Sequence, residues 1–407
     1  MTVRAIPTKG AVLAAVVLAC VLPACGGDDG SESSSSLGDI GQSDSLGATG
    51  DSGDDAASTS AGDDTGSSSG RDSSGSTSGS DTGDSSDTGS STDTGDSSET
   101  GDTDGGEVPT VQADPTYQVE VTELVYGTGQ VHTDWGGPVD GTLELKLDVY
   151  EPVDAPGNRP AFFIVHGGGF SGGSKEQEAL VNFADYFASR GFVSVSIDYR
   201  LVRDRGTVPQ AWLDSVEMTT PPEQANQALA IYPAGRDAKA ALRWLHANAD
   251  TYQINTDYVT AMGGSAGAML AIMLGVTEPE DYRDEITVTE DPTLATTNLG
   301  VDADVHTIID HWGGTVMIDA VQVLTGANRF DANDAPISIV HGTADPTVPF
   351  TEAEELRAAY MGTGVPHAWY PLQDKGHGPW GASYQGKTLS ELAWDFVIEQ
   401  QELMVGG

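Results

Sequence analysis

The chain has 407 residues, 18 of them basic and 62 acidic, giving a formal net charge of −44. A chain this acidic repels phosphate backbones, which excludes nucleic-acid binding through a basic footprint. Its two cysteines, Cys20 and Cys25, fall in the first 25 residues, so the remainder can form neither a disulfide-stapled fold nor a cysteine zinc site.

In chain order, residues 1–25 come first and read as an export signal. Arg4 and Lys9 precede an apolar run, 11–22, that is too short to span a bilayer comfortably, and small residues follow. Leu22-Pro23-Ala24-Cys25 resembles the lipobox of bacterial lipoproteins, a likeness that implies a lipid on Cys25 at the mature N-terminus. Val17-Leu18-Ala19-Cys20 competes with a shorter apolar run, but the polar stretch starting at Gly26 favours Cys25. The expectation is an exported protein of the cell envelope that meets the membrane only through an N-terminal lipid. A signal cleaved in the ordinary way is the alternative.

Residues 26–110 are Ser, Gly, Asp and Thr with almost nothing apolar. Such a segment cannot bury enough surface to offset its ordering entropy and is expected to be a disordered, charge-extended tether. Asp81-Thr82-Gly83-Asp84 recurs as Asp93-Thr94-Gly95-Asp96, but the repeats are irregular and lack the apolar position of calcium-binding repeats.

Residues 111–407 suffice for one large core. Strands are expected over 117–126, 143–150 and 161–165, a helix over 179–189, a strand over 192–197 and a helix over 235–249. A strand over 258–262, a helix over 266–275 and strands over 306–309 and 337–340 follow. A helix over 352–360, a strand over 368–371 and a closing helix over 389–403 complete the series. This alternation predicts an α/β domain, a mostly parallel central sheet with helices on both faces. The proline-containing stretches 201–232 and 276–302 show weaker patterns and are expected to form a lid or border the active-site pocket.

Gly263-Gly264-Ser265-Ala266-Gly267 lies between a predicted strand and a predicted helix, the context a G-x-S-x-G nucleophile elbow requires. The competing reading makes Ser265 a helix N-cap. His166-Gly167-Gly168-Gly169-Phe170 follows the strand 161–165, and its glycines let backbone N–H groups approach a substrate oxygen, together with the N–H of Ala266. Gly167, Gly169 and Gly172, with Asp198 ending the next strand, also satisfy a dinucleotide-binding pattern; export and the preceding His166 argue against it. Ser174 between Gly173 and Lys175 breaks the phosphate-loop pattern.

Asp345 and His377 each follow a predicted strand, so Ser265, Asp345 and His377 stand in the order of a Ser-Asp-His triad. Asp310, after the preceding strand, is the runner-up acid. His166 and His341 are expected to be turn or packing residues beside the site, and His311 is open. His246 is expected on a helix surface, and His132, His306 and His367 in ordinary loops or strands. No metal-ligand spacing such as HExxH is present, so neither a metal nor another cofactor is expected.

Together, His166-Gly167-Gly168-Gly169, the Ser265 pentapeptide, His341-Gly342-Thr343-Ala344-Asp345 and Gly376-His377-Gly378 resemble the α/β-hydrolase esterases, within them the hormone-sensitive-lipase-like and polysaccharide-associated carboxylesterases. Leu147-Asp148-Val149-Tyr150-Glu151-Pro152 and Asp198-Tyr199-Arg200 are similar to their flanking motifs, and Asp237 to the structural aspartate of the helix before the elbow. The likeness spans roughly 119–400 and departs from the family after Arg200. It implies an α/β-hydrolase fold with Gly168, Gly169 and Ala266 as oxyanion donors. The implied activity is hydrolysis of small-molecule or polysaccharide-linked esters, acetyl or feruloyl among them, through an acyl-enzyme. A secreted peptidase of the same fold, or a non-catalytic surface binding module, is the alternative.

Overall fold

The computed structural model describes residues 107–407. The expected signal 1–25 with Cys20 and Cys25, and the expected tether up to residue 106, lie outside the described residues. Residues 107–110, assigned to the tether from composition, already engage the domain. The Glu107 carbonyl accepts from Asn158, and the Pro109 carbonyl accepts from the Met404 N–H.

A short parallel pair joins the ends of the domain, β1 (Thr110–Gln112) with β12 (Met404–Gly406). The central sheet has eight strands: β2 (Val119–His132), β3 (Val139–Pro152), β4 (Arg159–Val165), β5 (Val193–Ile197), β6 (Ile254–Gly264), β7 (Thr307–His311), β8 (Ile337–Gly342) and β9 (His367–Leu372). Their order is β2-β3-β5-β4-β6-β7-β8-β9. β3 runs antiparallel to β2 and β5, and the strands from β5 to β9 are parallel. This is the α/β-hydrolase arrangement.

The helices are α1 (Glu178–Ala188), α2 (Gln210–Thr219), α3 (Pro222–Ala247), α4 (Ala249–Tyr252), α5 (Ala266–Val276), α6 (Val316–Thr325), α7 (Phe350–Thr363) and α8 (Leu389–Gln400). β4 shows why two helical layers are needed, since all seven of its residues are buried. Ala161, Phe163 and Val165 point into one apolar cluster with α3 and α5, while Phe162 and Ile164 point into the other with α1 and α8. β5 is buried on both sides despite its serines, because Ser194 donates to the Ala184 carbonyl and Ser196 to that of Lys175.

Four departures from the sequence reading have physical reasons. The helix expected to begin at 235 begins at Pro222, and α2 precedes it. α2 and the start of α3 lie in the stretch 201–232 that showed only weaker patterns. Between Ala228 and Arg243 α3 is buried nearly all round, so no polar face marks it, and Pro233 inside it reads as a breaker. The stretch 276–302 holds only a short 3₁₀ turn, Pro292–Thr296, which packs on β2 through Thr128 and Thr296 and lies away from the cleft described below. α6 was not anticipated, although Gly326 at φ 79° is an ordinary helix stop. The pairings β1 with β12 and β10 (Ser383–Tyr384) with β11 (Lys387–Thr388) are too short to show alternation.

Candidate active site

The parallel strands end at one rim, and register decides what meets there. Val165 of β4 pairs with Gly263 of β6, and Gly264 pairs with His311 of β7. The glycine loop 167–169, the serine turn and the end of β7 are thereby brought side by side at the carboxyl ends, where open α/β sheets place ligands.

Ser265 joins β6 to α5 at φ 57°, ψ −125°, a conformation seldom adopted by a residue with a Cβ. Its N–H donates to the His311 carbonyl at 2.9 Å, and its carbonyl accepts from Met269 within the helix. The turn is closed too tightly for side chains beside it. A Cβ on Gly263 would lie 2.2 Å from the Gly267 carbonyl carbon, and one on Gly267 2.1 Å from the Val165 oxygen.

Against the Ser265 hydroxyl stands His377, with Nε2 2.9 Å from Oγ. On the other side of the ring, Nδ1 lies 2.8 Å from Oδ2 of Asp345. Because a carboxylate only accepts, Nδ1 carries the proton and Nε2 is left free to receive one from the hydroxyl. Asp345 is fixed by its other oxygen, which accepts from the N–H groups of Thr347 (2.8 Å) and Val348 (3.0 Å). Burial alone would raise its pKa. The His377 hydrogen bond and charge and the two backbone N–H groups outweigh burial and hold it below the usual carboxylate value. The structure thus brings together Ser265, Asp345 and His377, which are remote in sequence.

Gly168 and Gly169 take φ of 109° and 58° and, with Ala266 at the first position of α5, line the cleft beside Ser265. A Cβ on Gly168 would lie 2.3 Å from the Gly172 oxygen. Lys175 anchors the far end of the loop: its amine reaches Asp148 and Glu123 at 3.0 Å each, and its N–H donates to Asp198 at 2.8 Å. Asp198, the acid a dinucleotide loop would need, is used here to hold this bend. Arg200 makes a buried two-pronged pair with Asp237 (Nη2 to Oδ1 2.7 Å, Nε to Oδ2 2.9 Å), which ties the end of β5 to α3.

The runner-up acid is placed differently. Asp310 is fully buried, and Oδ1 accepts from the Gly313 N–H while Oδ2 has no partner among the described residues. Burial pushes its pKa up to about 7. His311 is equally buried, without a hydrogen bond to either ring nitrogen among the described residues, and burial pushes it down to about 3. It packs among Phe183, Trp312 and Trp380. His166 stacks on Tyr199 (centroids 4.2 Å apart), and His341 is bonded to the Val348 carbonyl, its Nε2 3.5 Å from Asp345 Oδ2. His246 is half-buried, bonded to the Asp304 carbonyl, rather than on an open helix surface. His132 bridges the Gly137 carbonyl and Thr207, His306 faces the Val259 N–H at 3.5 Å and His367 the Val365 carbonyl.

The cleft above Ser265 has a volume of about 890 Å³. Sequence reasoning missed its walls. One is aromatic, with Trp312 and Trp380 edge to face at 4.7 Å. The other is polar, with Ser171, Gln177, Asn226 and Gln227. Trp380 stands three residues after His377 and Trp312 two after Asp310, a proximity that would have flagged both. The polar wall comes from α3 and the loop before α1, where no motif marks it. Among the described residues, no group of three or more His, Cys, Asp or Glu side chains is placed to hold a metal ion, and no helix is long and apolar enough to cross a membrane.

Residues 147–217 and 224–330 match the BD-FAE family model. The chain is 32% identical over 124 residues to gut esterase 1 of Caenorhabditis briggsae, covering 30% of this chain and 19% of that protein. It is 22% identical over 311 residues to esterase LipQ of Mycobacterium tuberculosis, covering 69% of this chain and 62% of that one. The chain thus spans less than two thirds of the length of these curated relatives. Among solved structures it resembles the propionate-bound esterase Est2 of Thermogutta terrifontis (24% identity, 72% of this chain and 97% of that one, TM-score 0.49). It also resembles a truncated carbohydrate esterase from gut microbiota (21% identity, 73% and 100%, TM-score 0.49).

Proposed function

We propose, from the match of residues 147–217 and 224–330 to the BD-FAE family model and from the α/β-hydrolase fold, that this chain is a serine esterase acting through an acyl-enzyme. The observation that carries the reading is the continuous relay from Asp345 through His377 to Ser265, with hydrogen bonds of 2.8 and 2.9 Å. His377 Nε2 takes the hydroxyl proton as Ser265 Oγ bonds to the ester carbonyl carbon. The oxygen of the tetrahedral intermediate takes up the negative charge and receives the N–H groups of Gly168, Gly169 and Ala266. His377 returns the proton to the alcohol oxygen as the carbon–oxygen bond breaks. Water then repeats the sequence on the acyl-serine, releasing the acid and restoring Ser265.

The substrate we propose is an acetyl or feruloyl ester of a hydroxyl-rich alcohol such as a polysaccharide. Supporting it are the cleft volume of about 890 Å³ and the contrast between its tryptophan wall and its amide- and hydroxyl-bearing wall. The polymer is what the resemblance of the sequence motifs to polysaccharide-associated carboxylesterases implies. Turnover of p-nitrophenyl acetate, acetylated xylan and feruloyl esters tests both levels. No turnover of any ester and no labelling of Ser265 by a fluorophosphonate would sink the esterase reading, whereas turnover of simple esters alone would sink the polymer.

For the N-terminus, we propose export with a lipid on Cys25, as its lipobox-like sequence suggests. Mass spectrometry of the mature N-terminus decides between acylated Cys25, acylated Cys20 and a chain without a lipid.

A further inference from the structure

Helix α3 buries three cations on one stripe. Arg236, Lys239 and Arg243 are spaced three and four residues apart, so they share one face of the helix. All three are buried, each at 6% exposure or less. Each gives a hydrogen bond to a backbone carbonyl of the irregular stretch 276–302. Arg236 Nη2 reaches Ile286 at 3.1 Å, Lys239 Nζ reaches Glu278 and Arg243 Nε reaches Thr297 at 3.0 Å. A carbonyl satisfies an N–H but brings no countercharge, and among the described residues none of the three forms an ion pair.

The carboxylates around Lys239 and Arg243 are engaged elsewhere or exposed. Asp281 pairs with Arg329 at 2.7 Å and Asp284 with Arg283 at 2.6 Å. Glu285 accepts from the Tyr232 hydroxyl at 2.9 Å and from the Tyr282 N–H at 3.0 Å, and Glu280 is exposed. A buried charge without a close countercharge is costly. Burial accordingly pushes Lys239 down to about 8 and Arg243 down to about 10, with Arg283 and Arg236 adding to the shift at Arg243.

Beside these two cations lies a cavity of about 40 Å³. Lys239, Arg243 and Arg283 line it with Asp304 and, on its apolar side, Leu242 and Leu274. On a scale where one water needs about 10–15 Å³, it has room for a halide ion with a water or two. We propose that this cavity is a binding site for one monovalent inorganic anion of halide size, chloride being the type case. The N–H groups that Lys239 and Arg243 leave unused are its donors, and its charge supplies what the carbonyls cannot. A doubly charged phosphate is disfavoured by the apolar side and by the carboxylate of exposed Asp304. The ion would tie α3 to the stretch 276–302. Leu274 stands nine residues along α5 from Ser265, about 14 Å at the helical rise, so the ion acts on stability and the inference does not depend on the esterase reading.

The test melts the full chain at about pH 7 while chloride replaces isethionate stepwise at constant ionic strength. The melting temperature should rise saturably, by about 2–4 °C at a chloride concentration about tenfold above Kd. The same protein should broaden the ³⁵Cl resonance, and bromide should reverse the broadening at lower concentration than phosphate does. Lys239→Met and Arg243→Met should abolish both effects. Asp304→Asn, at an exposed position, covers the case in which those two variants do not fold: it should tighten chloride binding about threefold by removing a like charge from the rim. A wild-type melting temperature indifferent to chloride, with no excess ³⁵Cl broadening, overturns the proposal. Chloride dependence that survives in Arg243→Met, or an affinity unchanged in Asp304→Asn, overturns it by placing the ion elsewhere. Phosphate binding more tightly than chloride overturns the halide assignment.

Discussion

Two neighbouring strands end in an aspartate near a histidine, and the structure treats the two pairs in opposite ways. At the end of β8, Asp345 is held by two backbone N–H groups and meets His377, and its pKa is lowered. At the end of β7, Asp310 and His311 are adjacent in sequence. Successive side chains of a strand point to opposite faces, so the two do not pair. Both are buried, Asp310 with a single N–H on one oxygen and His311 with no hydrogen-bond partner among the described residues, and burial moves each toward neutrality, Asp310 up to about 7 and His311 down to about 3. Closeness in sequence therefore says little about an acid–base couple. What distinguishes the Asp345–His377 pair is a partner from elsewhere in the chain together with two N–H groups aimed at the charge.

The largest effect that would break this comparison comes from Ser265→Ala, which should lower kcat for p-nitrophenyl acetate by about 10⁵–10⁶ with the fold intact by circular dichroism. Retention of most activity would remove the relay from the mechanism. Next, Asp345→Asn should cost about 10⁴ in kcat by misplacing the His377 proton, while Asp310→Asn should cost less than about tenfold. The reverse ranking in steady-state kinetics would transfer the role to β7.

A smaller effect concerns the turn that both couples border. Gly267→Ala places a Cβ 2.1 Å from the Val165 oxygen, so its melting temperature should fall by more than about 5 °C and its activity with it. A variant as stable as wild type would show that the elbow can relax.

The smallest effect is one of pH. The folded state retains a proton on Asp310 up to about 7, whereas the unfolded chain releases it near the usual carboxylate value. Asp310 therefore costs stability progressively as pH rises between those two values. Asp310→Asn should raise the melting temperature relative to wild type by more at about pH 8 than at about pH 5. Asp345 has the opposite sign, because its contribution is present above the ordinary carboxylate pKa and is lost as pH falls through its lowered value. Equal differences at both pH values in thermal melts would refute the account of Asp310.

Much of this was legible in the residues themselves. Local chemistry marks the all-apolar β4, the small-residue turn around Ser265, the glycine loop and the chain order of serine, aspartate and histidine, because each depends on neighbours within a few positions. α3 was half hidden, since a helix buried nearly all round has no polar face and Pro233 mimics a stop. The pairing of His377 with Asp345 rather than Asp310 and the tryptophan wall come only with folding. Each depends on register between strands, and those distances are set by the packing of the whole sheet, not by any stretch of chain read alone.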